Sequence, residues 1–305
     1  MGQRPEKSEI APGYRCVKRI IMKRIVTVSI LALMGYACAQ AQTATSLFWK
    51  KDGVQVPEIV SEKADQYGSV GHHGPAVENT HFALRIYFND SGAIDVYSKT
   101  GRGLELEKYK WYPTVEQQEN DGAGCDEYRV GKTVGLGGIA LWDGKQEVKL
   151  KATGGRTARV GDTKTGSFAE MIAYGVPYQE DTVDISIRID MDRKSREATV
   201  TATSLTGKPV MFLTGVNYHR GETVKCGNGF IFAWGIHPAD VSASPIPIGA
   251  GMFYKPSDFG PMEVTGDMVR IISRPAKSIS TTVVAASTKE AELNTAKRFE
   301  NYMTK

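Results

Sequence analysis

Cysteine, histidine and long apolar runs are all scarce in this chain, and each scarcity excludes something. Two of the four cysteines, Cys16 and Cys38, fall within the first 41 residues. The remainder can form at most one bridge, Cys125 to Cys226, so disulfides are not the scaffold, and spacing does not show whether the two meet. With five histidines in 305 residues, no zinc signature spacing occurs. The sequence also lacks a phosphate-cradling glycine loop, a dinucleotide fingerprint and a nucleophile elbow. No Ser/Pro/Gly-rich linker, low-complexity tract or internal repeat divides it, and no apolar run is long enough for a stable membrane span. The net charge of +4 misleads: residues 1–41 hold seven of the 38 basic and two of the 34 acidic residues, which leaves 31 against 32. Without a basic stripe, nucleic acid is not an expected partner.

The first 41 residues read as a targeting segment. Lys18, Arg19, Lys23 and Arg24 form a basic region, Ile25 to Met34 is a short apolar run, and Ala39-Gln40-Ala41 is a small-x-small cleavage site. Met22-Lys23-Arg24 is itself a complete signal start. Export to the periplasm or beyond is the expectation, with lipidation at Cys38 as the weaker alternative. Residues 42–305 are then expected to form one domain, large enough to bury a sizeable core.

The pattern of that body is period two. Val183, Ile185, Ile187, Ile189 and Met191 alternate with Asp184, Ser186, Arg188 and Asp190, and Ala198, Val200 and Ala202 return after a turn at 192–195. Further strand candidates are 133–142, 148–152, 168–174, 209–217, 230–234, 269–273 and 278–286. Many strands, 32 glycines and little helical periodicity point to an all-β antiparallel sandwich. One helix is expected at the end, with Ser287 and Glu290 as a capping box and Leu293, Ala296, Phe299 and Met303 as its apolar stripe.

The densest chemistry lies between His72 and Gly138. A hairpin is expected from His81 to Phe88 and from Ile94 to Lys99 across Asn89-Asp90-Ser91-Gly92. Phe82, Leu84, Ile86, Phe88, Ile94 and Val96 face inward, and His81, Arg85, Tyr87, Asp95, Tyr97 and Lys99 face outward. Arg85, placed nearly opposite Tyr97, offers a planar fork for a carboxylate, with Lys99 as a second charge. The competing reading is a cross-strand ion-pair network in which Asp95 holds Arg85. His72, His73, Glu78 and His81 crowd one loop as sugar-site or metal-site candidates. Glu119, Asp121, Asp126 and Glu127 flank glycines and could supply a glycosidase pair or oxygen ligands for calcium. Asn217, Tyr218, His219 and Arg220 follow a strand end and contain an acid–base group beside an arginine. Trp111-Tyr112-Pro113 is the best candidate for stacking on a sugar ring, whereas Trp142 and Trp234 read as core. Gly135-Leu136-Gly137-Gly138 reads as close sheet packing.

The motifs His73-Gly74-Pro75, Glu78-Asn79, 83–88, 94–99 and Cys125-Asp126-Glu127-Tyr128-Arg129-Val130-Gly131, with Gly135, Gly137-Gly138, Thr214-Gly215-Val216 and Trp234-Gly235, resemble the secreted bacterial family catalogued as domain of unknown function 4861. The resemblance covers most of 45–303. It implies a Bacteroidota setting among enzymes that degrade uronic-acid or pectin-like glycans, and a galactose-mutarotase-like supersandwich. It carries no catalytic residue with it. The combined expectation is a carbohydrate-active protein, a lyase or hydrolase, with a non-catalytic accessory protein as the alternative. His73, His81, His219, Tyr218 and Asp126 would handle protons. Arg85, Tyr87, Asp95, Tyr97, Lys99, Glu78 and Trp111 would bind an oligo- or polysaccharide, so that Arg85→Ala loses uronate binding but keeps its fold. No cofactor is expected, and a divalent metal is left open.

Overall fold

The computed structural model describes residues 1, 42–101, 103–239 and 242–305. The targeting-segment expectation lies outside the described residues. Residues 42–305 form a single compact unit. In chain order the strands are β1 (Thr43–Ser46), β2 (Glu58–Ser61), β3 (Ala76–Asn79), β4 (Phe82–Ile86), β5 (Ile94–Ser98), β6 (Ala140–Trp142), β7 (Glu147–Val148), β8 (Arg156–Asp162) and β9 (Gly166–Tyr178). They continue as β10 (Asp181–Asp192), β11 (Ala198–Ser204), β12 (Met211–Asn217), β13 (Thr223–Gly227), β14 (Phe230–Ile236), β15 (Pro247–Phe253), β16 (Glu263–Val264), β17 (Met268–Ile272) and β18 (Ser278–Ser287). Helices α1 (Leu106–Tyr109) and α2 (Val115–Asn120) follow β5, and α3 (Ala296–Met303) closes the chain.

These strands make the expected all-β antiparallel sandwich. Its large sheet runs β13-β14-β15-β18-β11-β10-β9-β8-β2, and two smaller sheets, β1-β3-β4-β5 and β16-β17-β12-β6-β7, complete the fold. The alternating apolar residues of β10 are buried, and Met191 pairs with Ala198 across the turn. They share one core with Val77, Leu84, Ile86 and Val96 of the four-stranded sheet and Phe212 and Val269 of the five-stranded one. The two small sheets join along the glycine run. Ile94 bridges Gly135, and Leu136 bridges Val216. A Cβ at Gly135 or Gly138 would fall on the carbonyl oxygens of Ile94 or Val134, so this seam admits no side chain there. The strand expected over 133–142 shrinks to β6, because Gly135 and Gly137 take φ of 71° and 68°.

The final helix starts later than its capping signature suggested. Ser287 ends β18, and Thr295 caps α3 by accepting from the Arg298 amide. Glu290 cannot close a capping box, because its carboxylate is bound by Arg196 and by the Leu293 amide. Phe299 and Met303 nevertheless form the buried stripe, against Phe232 and Trp234 on the outer face of the large sheet. Cys125 is buried and Cys226 exposed, and no disulfide joins them.

Candidate functional site: an aromatic cup over Arg85

The β4–β5 hairpin has the two faces its alternation requires, but neither is wet. One joins the main core. The other is roofed by the segment that carries α1 and α2, and Arg85, Asp95, Tyr97 and Lys99 are all 2% exposed or less. Period two reports which residues share a face. It cannot say whether water or another layer of chain covers that face. The register also sets Arg85 opposite Asp95, with Ala83 opposite Tyr97.

Arg85 is held on every side. Its Nε and Nη2 donate to Asp95 Oδ2 at 3.0 and 2.5 Å, Nη2 donates to Asp126 Oδ2 at 2.7 Å, and Nη1 donates to Tyr112 Oη at 2.6 Å. Tyr87 Oη donates to the same Asp95 oxygen at 2.7 Å. Burial opposes the arginine's charge, but Asp126 and Asp95 outweigh it and hold its pKa well above the ordinary value. Burial pushes Asp95 upward against the pull of Arg85. The guanidinium carbon also lies 4.4 Å from the Trp111 ring centre, 5.2 Å from Tyr87 and 5.6 Å from Tyr112. One cation thus faces two carboxylates inside an aromatic cage.

The mouth of the cage is wetter. Tyr67, His73, Tyr87 and Tyr112 are each partly exposed. His73 stacks on Tyr67 with ring centres 3.8 Å apart. Its Nδ1 donates to the Tyr67 carbonyl at 2.7 Å, which leaves Nε2 as the basic nitrogen of the neutral ring. Burial lifts the Tyr112 phenol to about 12, with Arg85 pulling the other way.

Backbone strain gathers here too. Among the described residues five non-glycines have positive φ, and four of them are the pairs His72 (55°), His73 (62°) and Lys110 (49°), Trp111 (74°). Left-handed backbone at such residues costs on the order of 1–3 kcal/mol each, and it persists where function or packing over-determines it. Both pairs meet at this cage: His72 lies 6.1 Å from Trp111, and His73 lies 6.0 Å from Tyr112, ring to ring.

A second polar cluster lies around the end of β12. His219 and His237 sit edge to face at 4.5 Å, Tyr128 lies 4.6 Å from His237, and Glu222 Oε1 is 3.3 Å from His237 Nε2. Burial depresses His237 to about 3 and raises Glu222 to about 7.

A family profile described as Domain of unknown function (DUF4861) matches residues 35–305. The chain belongs to the DUF4861 family. No curated protein matches it. Among solved structures, the crystal structure of the 4-alpha-glucanotransferase from Thermococcus litoralis is similar at a TM-score of 0.33 and 11% identity, over 70% of this chain and 39% of that one. The DUF4861 chain therefore spans about two fifths of that enzyme, a likeness too distant to argue from.

The structure distributes the sequence-predicted residues over several places. His73, Arg85, Tyr87, Asp95 and Asp126 converge on the cup. Trp111 belongs to it as a fully buried wall whose face is taken by Arg85, and the neighbouring Tyr112, 38% exposed, takes the outward position. Lys99 and Glu78 form a separate buried pair. The Lys99 ammonium donates to Glu78, to the Asn79 carbonyl and to the Gly103 carbonyl, which uses all three of its hydrogens. Glu78 also accepts from the Glu105 and Leu106 amides at the start of α1. This pair anchors the roof and leaves no ammonium proton for a ligand. Tyr97 Oη donates to Glu105 at 2.8 Å within the same roof.

His81 accepts from Arg196 at 2.9 Å, in the wall of a cavity of ≈ 90 Å³ that Glu290 also lines. His219 donates to the Arg129 carbonyl, and Tyr218 to the Thr265 carbonyl. The proposed loop quartet therefore has separate partners, since His72 bonds Ser46 Oγ at 2.7 Å. The glycine-flanked carboxylates scatter likewise: Glu119 and Asp121 are exposed, and Glu127 is held by Ser98 and Lys289. Sequence reading missed Tyr67, Glu222 and His237. Tyr67 stands outside any strand pattern, and no motif spacing links Glu222 to His237.

His72 supports a pH prediction. Burial, then the charge of Arg85, lowers it from 6.5 to about 3. The unfolded chain therefore takes up this proton first as the solution is acidified. Its contribution to stability is full above pH 6.5 and drains away between pH 6.5 and 3. Melting temperature should fall through that window, and His72→Gln should flatten the fall. An unchanged slope in the variant counts against the burial of a neutral imidazole.

Proposed function

We propose that this is an exported carbohydrate-active protein, and that the cup over Arg85 is where it engages a glycan. The observation that carries this reading is the ring of half-exposed Tyr67, His73, Tyr87 and Tyr112 above a buried, charge-rich floor. Aromatic faces stack on sugar rings, and Arg–Asp networks hold the polar edges that sugar hydroxyls need. His73 Nε2 and the Asp126 carboxylate are the groups proposed to accept or donate a proton there, in lyase or hydrolase chemistry.

An acidic, pectin-like glycan is the proposed substrate class, with a changed division of labour. Arg85 is already engaged by two aspartates, so it does not serve as the clamp for a uronate. A hollow of ≈ 410 Å³ lined by Trp49, Lys50, Lys51, Gln66 and Ser69 flanks the turn that carries Tyr67. Its two ammonium groups suit a carboxylate, and its tryptophan suits a sugar face. A second reading, a non-catalytic binding protein, is favoured by the saturation of Arg85.

The test is titration of neutral and uronic-acid oligosaccharides, with product masses and ultraviolet absorbance of an unsaturated uronate followed in parallel. Tyr112→Ala should weaken binding about tenfold, about 1.4 kcal/mol, and lower the melting temperature by stranding Arg85 Nη1, whereas Tyr112→Phe should keep the ring and most of the binding. Binding that ignores Tyr112 would move the site elsewhere. Binding without turnover would establish the accessory reading.

A further inference from the structure

The cluster at the end of β12 contains a different kind of site. Among the described residues, seven buried side-chain polar atoms have no hydrogen-bond partner, and four belong to this cluster: Tyr128 Oη, Asn217 Oδ1 and both oxygens of Glu222. Orphaned buried polar atoms are rare, and a carboxylate is the most expensive group to leave so. All four are oxygens.

The His219 amide lies toward Glu222 and the Asn217 amide toward Tyr128, but neither is aligned well enough to satisfy these oxygens. The Glu222 side chain is 1% exposed. His237 Nδ1 accepts from the Arg129 amide at 2.9 Å, so its ring is the neutral Nε2–H form. That N–H lies near Glu222 Oε1 but not in hydrogen-bond alignment. Asn217 Nδ2 donates to the Arg129 carbonyl at 2.9 Å, which leaves only its oxygen unsatisfied. His219 donates to that same carbonyl.

The seat for Glu222 is also built. A Cβ on Gly235 would fall on the Glu222 side chain, so β14 leaves a gap at that position into which the glutamate fits. A buried carboxylate lodged in a fitted gap, in one cluster with a phenol and an amide oxygen, has the donor chemistry of a hard cation site.

We propose that Glu222, Tyr128 and Asn217 bind a hard, oxygen-seeking cation, seated over Gly235 and capped by His237. With one carboxylate the site supplies a single negative charge, which suits sodium, or calcium at modest affinity. Among the described residues no trio of His, Cys, Asp and Glu is set to hold a metal, so this is not a transition-metal centre.

The full chain would be melted in calcium chloride, and in sodium chloride against choline chloride at equal ionic strength. Terbium would be titrated with emission excited through tyrosine, because Tyr128 would lie beside the ion. A cation-dependent rise in melting temperature that Glu222→Gln removes is the expected result, and the cation that produces it identifies the charge class. If Glu222→Gln fails to fold, Tyr128→Phe keeps the carboxylate and should still lose most of the sensitised emission, with affinity weakened about tenfold. The proposal is overturned if no cation shifts melting or emission, or if the shift survives in both variants.

Discussion

Arg85→Ala should destabilise the fold by about 3–5 kcal/mol, the usual effect of stranding buried charge. The variant leaves Asp95 and Asp126 facing each other without the guanidinium that both now accept from. It also removes the donor to Tyr112 and the cation stacked on the Trp111 ring. Urea denaturation with unchanged slope would measure the loss as a lower midpoint. Arg85→Lys should recover part of it, because it keeps the charge and loses the fork. The sequence left two readings open, a ligand clamp removable with the fold intact and an ion-pair network in which Asp95 holds Arg85, and this prediction follows the second. A wild-type midpoint for Arg85→Ala would restore the first, and would mean that water reaches both aspartates once the arginine is gone.

The second large effect concerns the roof. Lys99→Met should destabilise by a similar amount, about 3–5 kcal/mol, because Glu78 is 0% exposed and keeps only backbone amides as partners. Glu78→Gln alone should cost less, since the amide oxygen can still accept from Leu106. The double variant Lys99→Met, Glu78→Gln should recover much of the loss, because removing both charges ends the electrostatic penalty. Strict additivity in that cycle would mean that the two do not interact as a pair. Because Glu78 also receives the first amides of α1, loosening the roof should increase proteolysis between residues 100 and 126 before the β-sheets yield.

Much of the architecture could be read from alternation. The β10 and β11 faces, the inward side of β4 and β5, and the final apolar stripe all follow from side-chain periodicity, which is local. What could not be read was distance along the chain. The roof over Arg85 comes from residues 100–126, and nothing in the hairpin announces it. The same limit hid the partners of Lys99, whose exposed-face position looked like a ligand contact and proved to be an anchor. Trp111 misled for a related reason: it sits in a polar stretch, yet a left-handed backbone turns its ring inward beneath Arg85. Glu222 and His237 are 15 positions apart and meet only because β13 and β14 form a hairpin.

The order of the large sheet sets a schedule for the growing polypeptide. Strand β18, near the end of the chain, lies between β11 and β15 and bonds to both. Until it emerges, the sheet exists as two halves, each presenting an unpaired border to anything nearby. Because β18 joins them, the last 28 residues decide whether the preceding strands become one surface or two adhesive ones. A ribosome that stops before Ser278 would therefore release a chain prone to stick to its copies, however sound its cup and its roof.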